Sequence, residues 1–234
     1  MKVIDLIQNL SYGELSNLAI GVGGTGTIPE DKWPMVLLHA NEGLLRLHTK
    51  FTLKEKDLLI ELVEHITNYH LDSKFAESNW VPAEQPYPYI KDLIVEPFTN
   101  DVIRILSVYN NWGQQLPLND PTNVNSVFTP QAKIIQVPHP VNGMSLNVVY
   151  QASHPKLTVS DLEKEIDLPD TLVSALTAYI GFKVFGNMVT PEALQKSQEL
   201  LSQYNAICDE ALMTDVVSVS FTNTPTFFED RGWI

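Results

Sequence analysis

Hydrophobic residues recur at two different spacings along this chain, and the change between them divides the sequence into sections. Near both ends the spacing is three to four residues, which is typical of helices. Between residues 102 and 151, runs of β-branched and aromatic residues alternate with turn residues, a pattern typical of strands. This order predicts an α+β fold, with a helical core, an inserted antiparallel β module and an extended C-terminal arm.

The helical core is predicted from residues 1–81 and 161–213. In the first section, Ser11 and Glu14 have the spacing of a capping box, which predicts a second short helix after one at residues 2–10. Residues 37–48 repeat leucine at helical spacing, and residues 58–69 fit either a strand of a hairpin or a helix. In the last section, two periodic segments are joined by a short connection, which predicts an antiparallel helix pair that completes the helical domain. The apolar positions of that pair are Val173, Leu176, Ile180, Val184, Leu194, Leu201, Tyr204, Cys208 and Ala211.

The β module is predicted at residues 82–160 and begins with a proline-rich stretch. Strands are expected at residues 102–109, 133–137 and 146–151. Asn110-Asn111-Trp112-Gly113 is a predicted turn, and prolines punctuate the strands, which limits pairing at their edges.

Residues 214–234 form the predicted C-terminal docking arm. Large apolar side chains are stabilising only when something covers them, and a disordered tail is usually poor in aromatic residues. The alternation of Val217, Val219 and Phe221 with serines would suit strand addition to a partner. The predicted interface residues are Phe221, Phe227, Phe228, Arg231, Trp233 and Ile234.

Composition excludes several classes of protein. The 234 residues carry a net charge of −13, which argues against a protein that grips phosphate backbones. One cysteine, Cys208, excludes an intramolecular disulfide and any multi-cysteine zinc site. The start lacks a signal peptide and no long apolar run is present, so we expect a soluble protein made in a reducing compartment without a membrane partner.

Candidate chemistry is sparse. The glycines at residues 21–26 match a dinucleotide loop but follow a helix, so we interpret them as a loop between helices. The acidic run is explained by surface charge and a helix N-terminus; its members are Asp161, Glu163, Glu165, Asp167 and Asp170. The six histidines show no zinc-protease spacing, and Asn41 on a leucine stripe would need hydrogen-bond partners if it is buried. We therefore predict no catalytic, cofactor-binding or metal-binding residue, and a protein that is not an enzyme.

Five segments together carry a resemblance to a known family. Residues 10–18, 41–51, 105–109, 148–155 and 230–234 resemble head-to-tail adaptor (connector) proteins of tailed bacteriophages, in particular short-tailed N4-like phages. The resemblance implies a virion structural protein of the neck, synthesised in the host cytoplasm, that forms a ring of about twelve subunits between portal and tail. The implied partners are the portal protein, neighbouring adaptor subunits, and a tail tube or nozzle protein. Genomic DNA would pass through the lumen without specific binding.

Two alternatives remain open. A tail-associated module could hold carbohydrate or protein through Tyr109, at the end of a predicted strand, or Trp112, in the predicted hairpin turn that follows it. More remotely, a hydrolase or nucleotide-binding enzyme could use the glycine loop or the acidic run.

Overall fold

Helices from both ends of the chain form one layer of the fold. The structure, a computed structural model, describes residues 1–16, 27–81 and 87–214. Its four described helices are α1 (Val3–Tyr12), α2 (Trp33–Lys50), α3 (Asp170–Gly186) and α4 (Pro191–Met213). Local sequence explains the helix starts, because Pro34 and Pro191 occupy the first turns of α2 and α4, where a missing N–H costs least. The Thr190 hydroxyl also accepts a hydrogen bond from Ala193 N at 3.3 Å, which caps α4.

Helix α3 lies at the centre of the helical core. Its buried residues occupy every side of the helix, and α1, α2 and α4 all contact it. Close approach depends on two glycines: a Cβ at Gly43 of α2 would lie 2.8 Å from Leu176 Cδ1, and one at Gly181 would lie 2.8 Å from Leu200 Cδ1. At these positions a side chain of the neighbouring helix therefore packs directly against the glycine backbone.

The described residues form seven strands in two antiparallel sheets. In chain order they are β1 (Glu55–Glu61), β2 (Asn68–His70), β3 (Ile90–Lys91), β4 (Val102–Asn110), β5 (Phe128–Gln131), β6 (Ile134–Gln136) and β7 (Ser145–Ala152). The larger sheet has the order β3-β1-β7-β4, and the smaller has the order β2-β6-β5. Leu146, Val148 and Tyr150 alternate on the buried face of β7, which lies between β1 and β4. The strands enclose a second hydrophobic core, separate from the core of the helices. We call residues 55–152, which contain the strands and this core, the β section.

The two sections are joined by buried hydrogen bonds at the end of α2. The Gln151 amide of β7 donates to the carbonyl oxygens of His48 and Phe51, and His48 Nδ1 lies 3.2 Å from Ala152 O. Asn41 of α2 makes two hydrogen bonds to the backbone of Leu157, in the segment that follows the β section. Its Nδ2 donates to Leu157 O at 2.9 Å, and its Oδ1 accepts from Leu157 N at 2.8 Å. The partners predicted for Asn41 are therefore present.

The predicted α+β class is confirmed, but local details differ. Ser11 lies inside α1, so the predicted capping box at Ser11 and Glu14 is wrong; Ser11 Oγ donates to Ile7 O and accepts from Ile28 N. The open choice at residues 58–69 resolves as strand in its first four and last two residues, which belong to β1 and β2, while residues 62–67 between them are neither strand nor helix. These two strands pair with β7 and β6 rather than with each other. The β section thus draws in residues 55–70, which the sequence placed in the N-terminal region.

Candidate functional site

The sequence-predicted interface residues lie outside the described part of the chain. Phe221, Phe227, Phe228, Arg231, Trp233 and Ile234 all follow Thr214, the last described residue. The end of α4, where the arm begins, lies beside the end of α2, because Lys50 Nζ is 3.0 Å from Asp209 Oδ1. Leu212 and Met213 are exposed there. The described chain therefore ends close to the junction of the helical core with the β section.

A hydrophobic turn projects from the β section just after β3. Leu93, Ile94 and Val95 are three consecutive aliphatic residues with exposed fractions of 70%, 89% and 95%. Glu96 N donates to Leu93 O at 3.0 Å, which closes the turn with Ile94 and Val95 at its tip. We call residues 93–95 the hydrophobic turn.

The carboxylate of Asp92 holds the base of the hydrophobic turn. One oxygen accepts from Ser78 N at 3.0 Å, and the other accepts from Ser78 Oγ at 2.5 Å and from Phe98 N at 2.9 Å. Burial by itself would raise the pKa of Asp92, but these hydrogen bonds stabilise the carboxylate and lower the pKa below its ordinary value. Phe98 is buried against Tyr150, with ring centroids 6.3 Å apart. The turn is thus presented on a fixed base.

A second apolar surface lies on the side of α2 that faces away from the core. Leu38 and Leu45 expose 58% and 52% of their surface, and Met35 is exposed on the same face. The opposite side of α2 carries Leu37, Leu44 and Leu47, which are buried in the helical core. A helix that is apolar on both sides is normally covered on both sides. We call Met35, Leu38 and Leu45 the outer face of α2.

A cleft with a different character opens at the far end of the β section. Its volume is about 550 Å³, and the exposed ring of Trp112 lies at its rim. We call it the amide cleft, after its polar residues Asn110, Gln114, Gln115, Asn123 and Asn125. The predicted turn at Trp112 is present, with Gly113 N donating to Asn110 O at 3.0 Å.

Two buried histidines lie at the junction of the helical core and the β section. The rings of His48 and His154 are 5.7 Å apart. Burial lowers the pKa of both imidazoles, so their neutral forms are favoured in the folded protein. His154 Nε2 accepts a hydrogen bond from Asp167 N at 3.2 Å, which only an unprotonated nitrogen can do.

The acidic run has structural partners. Lys2 Nζ lies 2.8 Å from Glu163 and Lys54 Nζ lies 3.0 Å from Asp167, while Asp161 accepts hydrogen bonds from Thr158 as a local cap. The N-terminus also pairs with this run, since Ile166 N donates to Met1 O at 2.8 Å. These residues attach the N-terminus and the β section to the chain that leads into α3.

Other sites suggested by the sequence are either outside the described residues or buried. The glycine loop at residues 21–26 lies outside the described residues. Cys208 is buried in the helical core, and burial raises the pKa of its thiol, which disfavours the reactive thiolate. Within residues 1–16, 27–81 and 87–214, no cluster of three or more His, Cys, Asp or Glu side chains is arranged to hold a metal ion.

Sequence reasoning missed the hydrophobic turn and the outer face of α2. A signal was present in both cases. Leu93-Ile94-Val95 precedes Pro97 in a segment too short to form a paired strand, and α2 carries adjacent leucines at residues 37–38 and 44–45, more than one helical face can bury.

No protein-family model matches this sequence, and no curated protein matches it. Among the described helices, none combines the length and apolar character needed to cross a membrane.

Proposed function

We propose that the protein is a virion structural protein, a head-to-tail adaptor that forms a ring between the portal and the tail of a short-tailed bacteriophage. The observation that carries the proposal is the hydrophobic turn, with three adjacent aliphatic side chains almost fully exposed on a fixed base. Single exposed apolar residues are ordinary, but contiguous and rigidly presented ones mark a surface that another molecule covers.

The presence of two unlike apolar surfaces supports a ring of head-to-tail contacts. The hydrophobic turn belongs to the β section and the outer face of α2 belongs to the helical core, so one copy can contact the next through two unlike surfaces. Contacts between unlike surfaces are head-to-tail, and they give a closed ring when the rotation between subunits closes.

The portal protein, neighbouring adaptor subunits and a tail tube or nozzle protein are the proposed partners. The arm at residues 214–234 would supply a further contact, since aromatic residues and arginine contribute most to interface energy. The net charge of −13 suits a lumen through which genomic DNA passes without adhering. The working location is the neck of the virion, after synthesis in the host cytoplasm.

The test compares two charged substitutions in matched positions. Ile94→Asp together with Val95→Asp places charge on the hydrophobic turn, whereas Val189→Asp places it on a lone valine that is also fully exposed. We expect the double variant to lose both the ring in native mass spectrometry and co-purification with the portal protein of the same virus. The Val189 variant should retain both.

Two results would contradict this proposal. One is a wild-type protein that stays monomeric both alone and with the portal protein and is absent from the neck in electron micrographs of the virion. The other is tight binding of the purified protein to duplex DNA at physiological salt.

A further inference from the structure

The amide cleft carries no formal charge on its described lining residues, although the chain has 28 acidic and 15 basic residues. Its volume of about 550 Å³ lies in the range of small-molecule sites, which is roughly 300–1,000 Å³. The lack of cations disfavours phosphate, sulfate and nucleic acid, since these ligands need positive charge. A ligand that fits this cleft is neutral.

Trp112 is exposed on a turn whose backbone is fixed by hydrogen bonds. Its side chain is 72% exposed at the tip of the turn after β4. The Asn110 carboxamide oxygen accepts hydrogen bonds from Trp112 N and Gln114 N, both at 3.0 Å, and Gly113 adopts a positive φ of 78° that a side chain would disfavour. These bonds fix the backbone of the turn, so the flat apolar face of the indole ring is presented from a defined point at the rim of the cleft.

Side chains that can donate and accept hydrogen bonds line the same cleft as Trp112. Gln115 and Asn125 each provide a carbonyl oxygen and an NH₂ group, and His139 provides a ring nitrogen of either kind. Within the described part of the chain, none of these three side chains is engaged in a hydrogen bond. Val124 and Val141, both exposed, add apolar surface to the lining.

We infer that the amide cleft binds a neutral oligosaccharide. The C–H face of a pyranose ring packs against a flat aromatic ring, and its hydroxyl groups both donate and accept, as carboxamides do. The cleft combines these two features and excludes charge. This site is separate from the hydrophobic turn and the outer face of α2, so it is a binding activity in addition to the proposed assembly role.

The experiment is isothermal titration of the full chain with a panel of oligosaccharides. The neutral probes are cellohexaose, maltohexaose and chitohexaose, and the charged probe is a sulfated heparin hexasaccharide. We expect at least one neutral probe to bind and the sulfated probe not to bind. Trp112→Ala should weaken binding about tenfold, the effect expected for loss of one aromatic stacking contact.

Control variants distinguish binding in the amide cleft from general effects of substitution on the protein. Trp80→Ala removes another half-exposed tryptophan, which does not line the cleft, and should leave the affinity unchanged. Gln115→Ala should weaken binding, and Trp112→Phe should retain part of it because a flat ring remains. Circular dichroism and the assembly assay should be the same for all four variants and the wild type.

The inference is overturned if no neutral probe binds, if only the sulfated probe binds, or if Trp112→Ala and Trp80→Ala weaken binding equally. It is also overturned if a peptide of residues 221–234 binds the cleft in a Trp112-dependent manner and the sugars do not. In that case the occupant is the chain's own C-terminal arm. Since the assembly assay is read separately, failure here leaves the ring proposal standing.

Discussion

His48 and His154, at the junction of the helical core and the β section, are the side chains through which we expect the stability of the protein to depend on pH. Both imidazoles are buried and bonded to the backbone. His48 Nδ1 lies 3.2 Å from Ala152 O, while His154 Nε2 accepts from Asp167 N and His154 Nδ1 lies 2.6 Å from Pro155 O. His48 Nε2 is buried without a partner in the described chain, so a proton there would lack an acceptor. Protonation would also remove the lone pair that accepts from Asp167 N.

We predict that stability falls as pH is lowered from 7.5 to 5.5. Burial lowers the folded-state pKa of both histidines below the unfolded value of about 6.5, so the unfolded chain binds more protons in this range. Their stabilising contribution is complete above about pH 6.5 and decreases below it. Urea unfolding at several pH values measures this slope.

The slope should be smaller in His154→Gln, which cannot take up the proton, although this variant is less stable at every pH. His139→Gln, at an exposed position, is the matched control and should keep the wild-type slope. If the His154 variant has the wild-type slope, His154 does not contribute to the pH dependence of stability, which would contradict this prediction.

Gly43 gives a second prediction at the residue scale. In a solvent-exposed helix, Gly→Ala stabilises by up to about 1 kcal/mol. Here the new Cβ would lie 2.8 Å from Leu176 Cδ1 and 2.9 Å from Tyr179 Cδ1, and overpacking of this kind costs about 1–3 kcal/mol. We expect Gly43→Ala to lower the free energy of unfolding by about 1 kcal/mol. Thr49→Ala, on the exposed side of the same helix, is the control and should be neutral or stabilising. If both substitutions change the thermal unfolding midpoint equally, that result would argue against close packing of α2 on α3.

Helix α2 holds the chain that returns from the β section through the paired hydrogen bonds of Asn41. Removing that side chain leaves Leu157 N and O unpaired at a partly buried site, which costs about 1–3 kcal/mol. We predict that Asn41→Leu destabilises the protein by this amount and speeds hydrogen exchange at residues 155–168. Exchange at α4 should change far less, and equal acceleration of both segments would show that Asn41 acts on global stability only.

The elements that could be predicted from sequence are those whose signals are local. Helices α2, α3 and α4 follow from apolar spacing and from prolines at their starts, all within a few turns. Strands β1 and β2 are ambiguous from sequence. Their partners β7 and β6 lie 84–96 and 64–68 residues away, and nothing near residues 55–70 specifies them. The capping box at Ser11 failed because Ser11 makes its hydrogen bonds to Ile7 O and to the distant Ile28 N.

Less of the candidate site than of the fold could be predicted from the sequence. The turn at Trp112 could be recognised from Asn110 and Gly113, which have local roles. The neutrality of the amide cleft depends on loops around residues 115, 125 and 139 that only the fold brings together. Ile94 and Val95 are strand-favouring residues, so their exposure at a turn could not be inferred without the hydrogen bonds of Asp92.

At the scale of the whole molecule, residues 1–214 contain both hydrophobic cores. We predict that truncation after Thr214 leaves a folded subunit with the wild-type thermal midpoint but weakens assembly with the portal protein. Co-purification and native mass spectrometry measure the second effect. If the truncated chain assembles normally, the arm is not part of the interface. If the truncated chain unfolds, the arm is part of the subunit core.

The insertion of the β section between α2 and α3 has a consequence for synthesis on the ribosome. The helical core needs α1 and α2 together with α3 and α4, so the first two helices emerge long before their partners. At translation rates of roughly 5–20 residues per second, α2 waits roughly 10–30 seconds for the end of α4. During that time both sides of α2 are uncovered, including its outer face. Newly made chains are therefore most exposed to mispairing with each other before α4 is complete, and chaperones that shield apolar helices should raise the yield of assembly-competent subunits.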